Sequence, residues 1–184
     1  INQISDVQLD ALETWVKQGG TLILSATANA NQLLSENGRL ARFCPGTFVG
    51  LDECYNSSRL ETFCDSQEKL LPGNNESFPI VQLDEVRGTI LVDNSNSKNR
   101  KPLIIKTAYG MGKVVFVTFD LDASKTSAWI GLPKLVEKLI SGAATERETT
   151  SSTASRGSSV SHFGYKDLIG QLRVPLDRFR DVQF

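Results

Sequence analysis

The chain has 184 residues, with 20 Lys and Arg against 21 Asp and Glu, and a formal net charge of −1. That length suits one domain of about 140 residues plus a tail. The balanced charge, with no basic cluster interleaved with aromatics, gives no nucleic-acid footprint, and no run approaches the ~20 apolar residues a spanning helix needs. Ile1-Asn2-Gln3-Ile4 has neither an initiator methionine nor a basic-then-apolar leader, so the chain reads as a piece of a longer polypeptide.

Ser5-Asp6-Val7-Gln8 has the form of a capping box and predicts a helix start. Leu9, Leu12 and Val16 share one face, extended by Ala11 and Trp15, until Gly19-Gly20 stops the helix. The short apolar run Thr21-Leu22-Ile23-Leu24-Ser25 then reads as a strand covered on both faces, as parallel α/β sheets require. The small, polar segment 26–31 leaves that strand's carboxyl end, where open α/β sheets place ligands, and so nominates Ser25, Thr27 and Asn29. Capping of a short following helix, through Leu33, Leu34 and Leu40, is the plainer role for Thr27 or Asn29.

Residues 44–75, with Cys44-Pro45-Gly46 and Pro72-Gly73-Asn74-Asn75, read as a loop-rich insertion. Ile80–Leu83 and Thr89–Val92 suggest a small meander, and 93–99 a polar turn. The strand Pro102–Thr107 should pair through Tyr109-Gly110-Met111-Gly112-Lys113 with a strand over 114–119. That glycine pair lacks the spacing and the following helix of a phosphate loop, so turning the chain is its sufficient role. Ser124 can cap a last helix through Trp129, Leu135 and Leu139, with Pro133 near its first turn. The expected organisation is a domain over 1–142, a flexible Ser/Thr-rich linker over 143–162, and an amphipathic C-terminal segment over 163–184. His162 falls in that polar tail, with no partner in sequence to make it a site.

Gln8-x3-Leu12-x2-Trp15-Val16-x2-Gly19-Gly20-Thr21-Leu22-Ile23, the Tyr109–Asp120 stretch and the region around Trp129 resemble class I glutamine amidotransferase-like domains of bacterial membrane proteins. Asp167–Phe184 resembles the stretch that precedes a transmembrane helix in such proteins. The resemblance implies an α/β fold: a three-layer, flavodoxin-like sandwich with a mostly parallel sheet and a C-terminal β-hairpin, on the extracytoplasmic (periplasmic) face of the membrane. Strands before Ile1 are expected to complete the sheet, which would otherwise leave an edge uncovered.

Phe119-Asp120-Leu121-Asp122 departs from the family's Phe-His-Pro-Glu ending. An aspartate, with an unperturbed pKa of about 3.9 against about 6.5 for histidine, cannot serve as the near-neutral base a thiol needs. No nucleophile elbow surrounds Cys44, Cys54 or Cys64. The expected role is therefore non-enzymatic: an extracytoplasmic ligand- or protein-binding domain of a membrane-anchored protein, with Ser25, Thr27, Asn29, Asp120 and Asp122 as ligand-binding candidates. A cysteine-dependent hydrolase or amidotransferase-like enzyme is the alternative. The expected partner is an unidentified protein or small molecule, with no nucleic acid and with membrane association through segments outside this chain. No cofactor is expected. The cysteine spacing is not that of a zinc site, and Asp120 with Asp122 supplies too few oxygens for a hard cation. In an oxidising compartment Cys54 and Cys64 are the first choice for a disulfide, worth roughly 2 to 3 kcal/mol; the other reading keeps all three cysteines reduced.

Overall fold

The structure is a computed structural model and describes residues 4–25, 27, 29–73, 75–94 and 100–144, with the backbone alone for 142–144. The linker over 143–162, the C-terminal segment over 163–184 and His162 thus fall almost wholly outside the described residues.

Helix α1 (Asp6–Lys17) opens on the expected capping box: Gln8 N–H donates to Ser5 Oγ at 3.3 Å, and Ser5 N–H to Gln8 Oε1 at 2.8 Å. Leu9 and Val16 are its buried positions. Strand β1 (Thr21–Ser25) follows, then α2 (Ala30–Leu33) and a 3₁₀ turn over Ala41–Phe43. The remaining elements are β2 (Thr47–Cys54), α3 (Ser58–Phe63), β3 (Phe78–Asp84), β4 (Thr89–Asp93), β5 (Pro102–Tyr109), β6 (Gly112–Val117), α4 (Ser124–Ala128) and α5 (Leu132–Ala144).

One sheet has the order β1-β6-β5-β4, and β2 and β3 form a separate antiparallel pair. Among the described residues only β1 and β6 run parallel, Thr21 opposite Lys113 through Ser25 opposite Val117; β5–β6 and β4–β5 are antiparallel. The mostly parallel, flavodoxin-like amidotransferase sandwich is therefore not the fold. Parallel neighbours need a crossover of a dozen or more residues, whereas β5 and β6 are joined by the turn at Gly110-Met111, with Gly110 at φ +63°. The apolar runs that suggested parallel strands are explained by burial on both faces. Val115 and Val117 pack with Trp129, Leu135 and Leu139 on one side, while Val114 and Phe116 pack with Leu9, Val16 and Phe43 on the other.

The meander is also corrected, because β3 pairs with β2 and β4 with β5. Between β3 and β4 the chain turns through Glu85 at φ +50° and Gly88 at φ +114°, which sends the two strands to different sheets. The supposed loop over 44–75 contains β2 and α3. The last helix is broken at Trp129, whose extended backbone (φ −75°, ψ 128°) separates α4 from α5. Its indole N–H donates to Glu68 O at 3.0 Å, so burial of the ring outweighs helix continuity at this position.

The two glycine motifs meet each other. A β-carbon at Gly112 would lie 2.0 Å from Val16 O and 2.2 Å from Gly20 O, and one at Gly20 would lie 2.6 Å from the Trp15 ring. Their bareness lets Lys113 N–H reach Gly20 O at 3.0 Å and Met111 N–H reach Lys17 O at 2.9 Å. The hairpin thus docks beneath the end of α1. The outer face of α1 is tied down by charge: Asp6 to Arg39, Asp10 and Glu13 to Arg42, and Glu13 to Lys17, each at 2.7 Å, with Tyr109 Oη donating to Glu13. The Lys17 ammonium and the Tyr109 hydroxyl, with help from Arg42, hold the Glu13 carboxyl down at about 2.

Two outcomes follow from this packing. Gly112→Ala should cost about 1–3 kcal/mol, the usual penalty of overpacking, read as a lower urea midpoint. Because the Glu13 pKa is depressed on folding, its contribution is complete above the ordinary 4.5 and is lost as pH falls toward about 2. Denaturation series across that window should show a shallower loss of stability for Glu13→Gln than for the unaltered chain.

Candidate functional site

The carboxyl ends of β1 and β6 bring together three of the nominated residues. Ser25 Oγ donates to Phe119 O at 2.8 Å and accepts from Leu121 N–H at 3.2 Å. Thr27 N–H donates to Asp120 Oδ1 at 2.8 Å, and its buried hydroxyl donates to Thr118 O at 3.2 Å. Thr118 in turn donates its N–H to Leu103 O and its hydroxyl to Pro102 O, both at 3.0 Å, while its carbonyl accepts from Val81 N–H at 2.6 Å. The Ser25 and Thr27 hydroxyls and one carboxylate oxygen of Asp120 are spent on the protein's own backbone. Such a network fixes the strand ends and leaves little hydrogen-bonding capacity facing outward.

Asn29 and Asp122 are not part of this network. Both are exposed; Asn29 precedes α2 without a side-chain cap, and Asp122 lies in the turn before α4.

All three cysteines are free thiols in the structure. Cys54 and Cys64 are fully buried in the same apolar cluster. Burial pushes all three thiols up, that of Cys64 to about 11. Burial thus disfavours the thiolate form that a nucleophilic cysteine needs.

Sequence reasoning missed a second place. Strand β2 alternates exposed and covered residues until Cys54 turns into the core, and the next residue, Tyr55, stands 64% exposed. Asn56 Oδ1 then accepts from Ser58 N–H at 2.9 Å and from Ser58 Oγ at 2.6 Å, an Asx turn that starts α3. Ser57 Oγ and Leu70 N–H both donate to Glu61 Oε1, at 2.7 and 2.9 Å, which ties the following loop to α3. The result is a cleft of about 130 Å³ lined by Tyr55, Asn56, Ser57, Ser58, Glu61, Lys69 and Leu71. The signal available in sequence was an aromatic set directly before an Asn-Ser-Ser turn. Wider concavities lie at Arg59, Phe63 and Asp93, at Gln82, Asp84 and Arg100, and at Thr89, Lys106 and Lys113, each with longer charged side chains in its lining.

No protein-family model matches the chain, and no curated protein matches it. Among solved structures it is similar to an exo-β-1,4-mannosidase from Opitutaceae bacterium strain TAV5, with 19% identity over 75% of this chain and 22% of that one, at a TM-score of 0.42. It is also similar to a β-galactosidase from Bacillus circulans sp. alkalophilus, with 14% identity over 73% and 20% of the two chains, at a TM-score of 0.44. The chain spans about a fifth of the length of either.

The mixed sheet overturns the fold that the amidotransferase resemblance implied. The similar structures are glycoside hydrolases by name, and the sheet is mixed. The non-catalytic, non-enzymatic binding role drawn from that resemblance falls with it. For the cysteine-hydrolase alternative, Cys54 and Cys64 are buried and burial raises all three thiols, so the geometry gives it no support. Among the described residues, no helix is long and apolar enough to cross a membrane. At TM-scores below 0.5 the likenesses themselves assign neither a fold nor an activity to this chain.

The network at the strand ends has a direct test. Thr118 is fully buried, so Thr118→Val leaves the Pro102 carbonyl without its donor and should cost about 1–3 kcal/mol, measured by urea denaturation.

Proposed function

We propose that this chain contacts a saccharide at the Tyr55 cleft, as one part of a larger carbohydrate-active protein. The observation that carries the reading is the exposed Tyr55 ring beside Asn56, Ser58 and Lys69. A sugar ring presents a face of C–H groups that packs on an aromatic surface, and a rim of hydroxyls that both donate and accept. The Lys69 ammonium, which donates, and the Ser58 hydroxyl oxygen, which can still accept, beside one exposed ring answer that pattern. The volume, about 130 Å³, lies below the ~300 Å³ at which pockets for drug-sized ligands begin, and suits a single sugar unit at a chain end or along a chain. Glu61 supports the cleft by holding Ser57 and Leu70 in place, so the rim is set before a ligand arrives.

The probes are a β-1,4-linked mannoside and a β-galactoside, the sugar classes named for the two similar structures. Calorimetric titration should give binding that weakens about tenfold in Tyr55→Ala, the equivalent of ~1.4 kcal/mol, with an unchanged melting temperature. Failure of both sugars to bind, or equal binding by Tyr55→Ala, would contradict the reading.

A further inference from the structure

The four-stranded sheet has two edges, β4 and β1. An edge strand carries a row of unpaired N–H and C=O groups, and folded chains blunt it with charge, proline, bulges or a covering element. Strand β4 is managed in this way. Its register with β5 shifts between Ile90 and Val92 and again at Asp93, Asp93 is ion-paired with Arg59, and α3 packs against it. Strand β1 differs: Thr21-Leu22-Ile23-Leu24-Ser25 has no charge and no proline, and its register with β6 is unbroken.

We infer that β1 is a self-pairing edge, at which a second copy of this chain adds its own β1 antiparallel across a two-fold axis at Ile23. The direction of the main-chain groups follows from one hydrogen bond. Gly20 O accepts from Lys113 N–H, so Gly20, Leu22 and Leu24 turn their main chain toward β6, and Thr21, Ile23 and Ser25 turn theirs outward. Among the described residues, no main-chain bond from outside the sheet reaches those outward groups.

The segment is nearly its own reverse. With the axis at Ile23, Thr21 faces Ser25 of the second copy, Leu22 faces Leu24, and Ile23 faces its counterpart. In an antiparallel ladder the residues that exchange both N–H···O=C bonds alternate with those that do not. Here the bonding positions fall on Thr21, Ile23 and Ser25, the residues whose groups point outward. An uncharged edge meets its copy without repulsion. Leu22 and Ile23, each partly buried at the margin of a different apolar cluster, continue both clusters across the seam. The contact is isologous, so it closes at a dimer and leaves β4 as the outer edge of a continuous sheet. A seam of five residues is smaller than a standard interface of about 1,600 Å², so the assembly depends on concentration.

Sedimentation velocity on the full 184-residue chain, over a concentration series, should move from monomer to dimer. Thr21→Pro removes an outward N–H without touching the β6 ladder, at a first-strand position where proline is tolerated. It should stay monomeric with an unchanged melting temperature. Hydrogen exchange at Thr21, Ile23 and Ser25 should slow as concentration rises, and this readout decides the matter if the proline variant does not fold. A chain that stays monomeric at every concentration, or a dimer that survives Thr21→Pro, overturns the inference. So does exchange at these amides that is slow in the monomer, since another segment of the same polypeptide would then occupy the edge.

Discussion

Thr118 is the point on which the rest of the structure depends. It is one residue past the end of β6, fully buried, and none of its hydrogen-bonding groups faces water. Its N–H and hydroxyl hold β5, its carbonyl takes the Val81 N–H of β3, and the same carbonyl takes the hydroxyl of Thr27 beyond β1. The separate β2–β3 pair is thereby attached to the end of the main sheet. A buried threonine satisfied on every side is worth more than its individual bonds, because the loss of any partner strands the others in a medium without water.

That arrangement occupies polar groups at the end of the sheet. In many open α/β sheets the loops at the strand ends receive ligands, and here the equivalent loops receive each other. Ser25, Thr27 and Asp120 read as a polar site in sequence because they are small, polar and set at strand ends. The same properties make them good at bonding to backbone. The proposed contact with a saccharide is displaced accordingly, to the place where β2 hands over to α3 and an aromatic ring stays in solvent. It depends on Thr118 at one remove, since Val81 on β3 faces Leu51 on β2, the strand that leads to Tyr55.

Much of the local structure was legible. Ser5 and Gln8 announce α1, Gly19-Gly20 ends it, and the Tyr109–Lys113 turn predicts the β5–β6 hairpin, because each signal acts within a few residues of its effect. The topology was less so. Burial on both faces produces the same apolar run in a parallel strand and in a central strand of a mixed sheet, so Val114–Val117 could not reveal its neighbours. Strand β2 was hidden because Gly50, Asp52 and Glu53 dilute its β signal, and because its apolar Val49 and Leu51 fall on the exposed side while Gly50 and Asp52 fall on the half-covered one. The helix around Trp129 was overextended because its periodicity continues across a break that only the distant Glu68 carbonyl explains. Tyr55 stands out only once Cys54 is seen to point inward.

The central claim is that the carboxyl end of the main sheet is closed by the protein's own hydrogen bonds, with Thr118 at the junction. Amide hydrogen exchange at Val81 and Thr118 measures this most directly, because both N–H groups belong to that junction. The account predicts that they are among the slowest in the domain, opening only with global unfolding. Exchange at either amide as fast as in an exposed loop would mean that the junction opens on its own, and would contradict it.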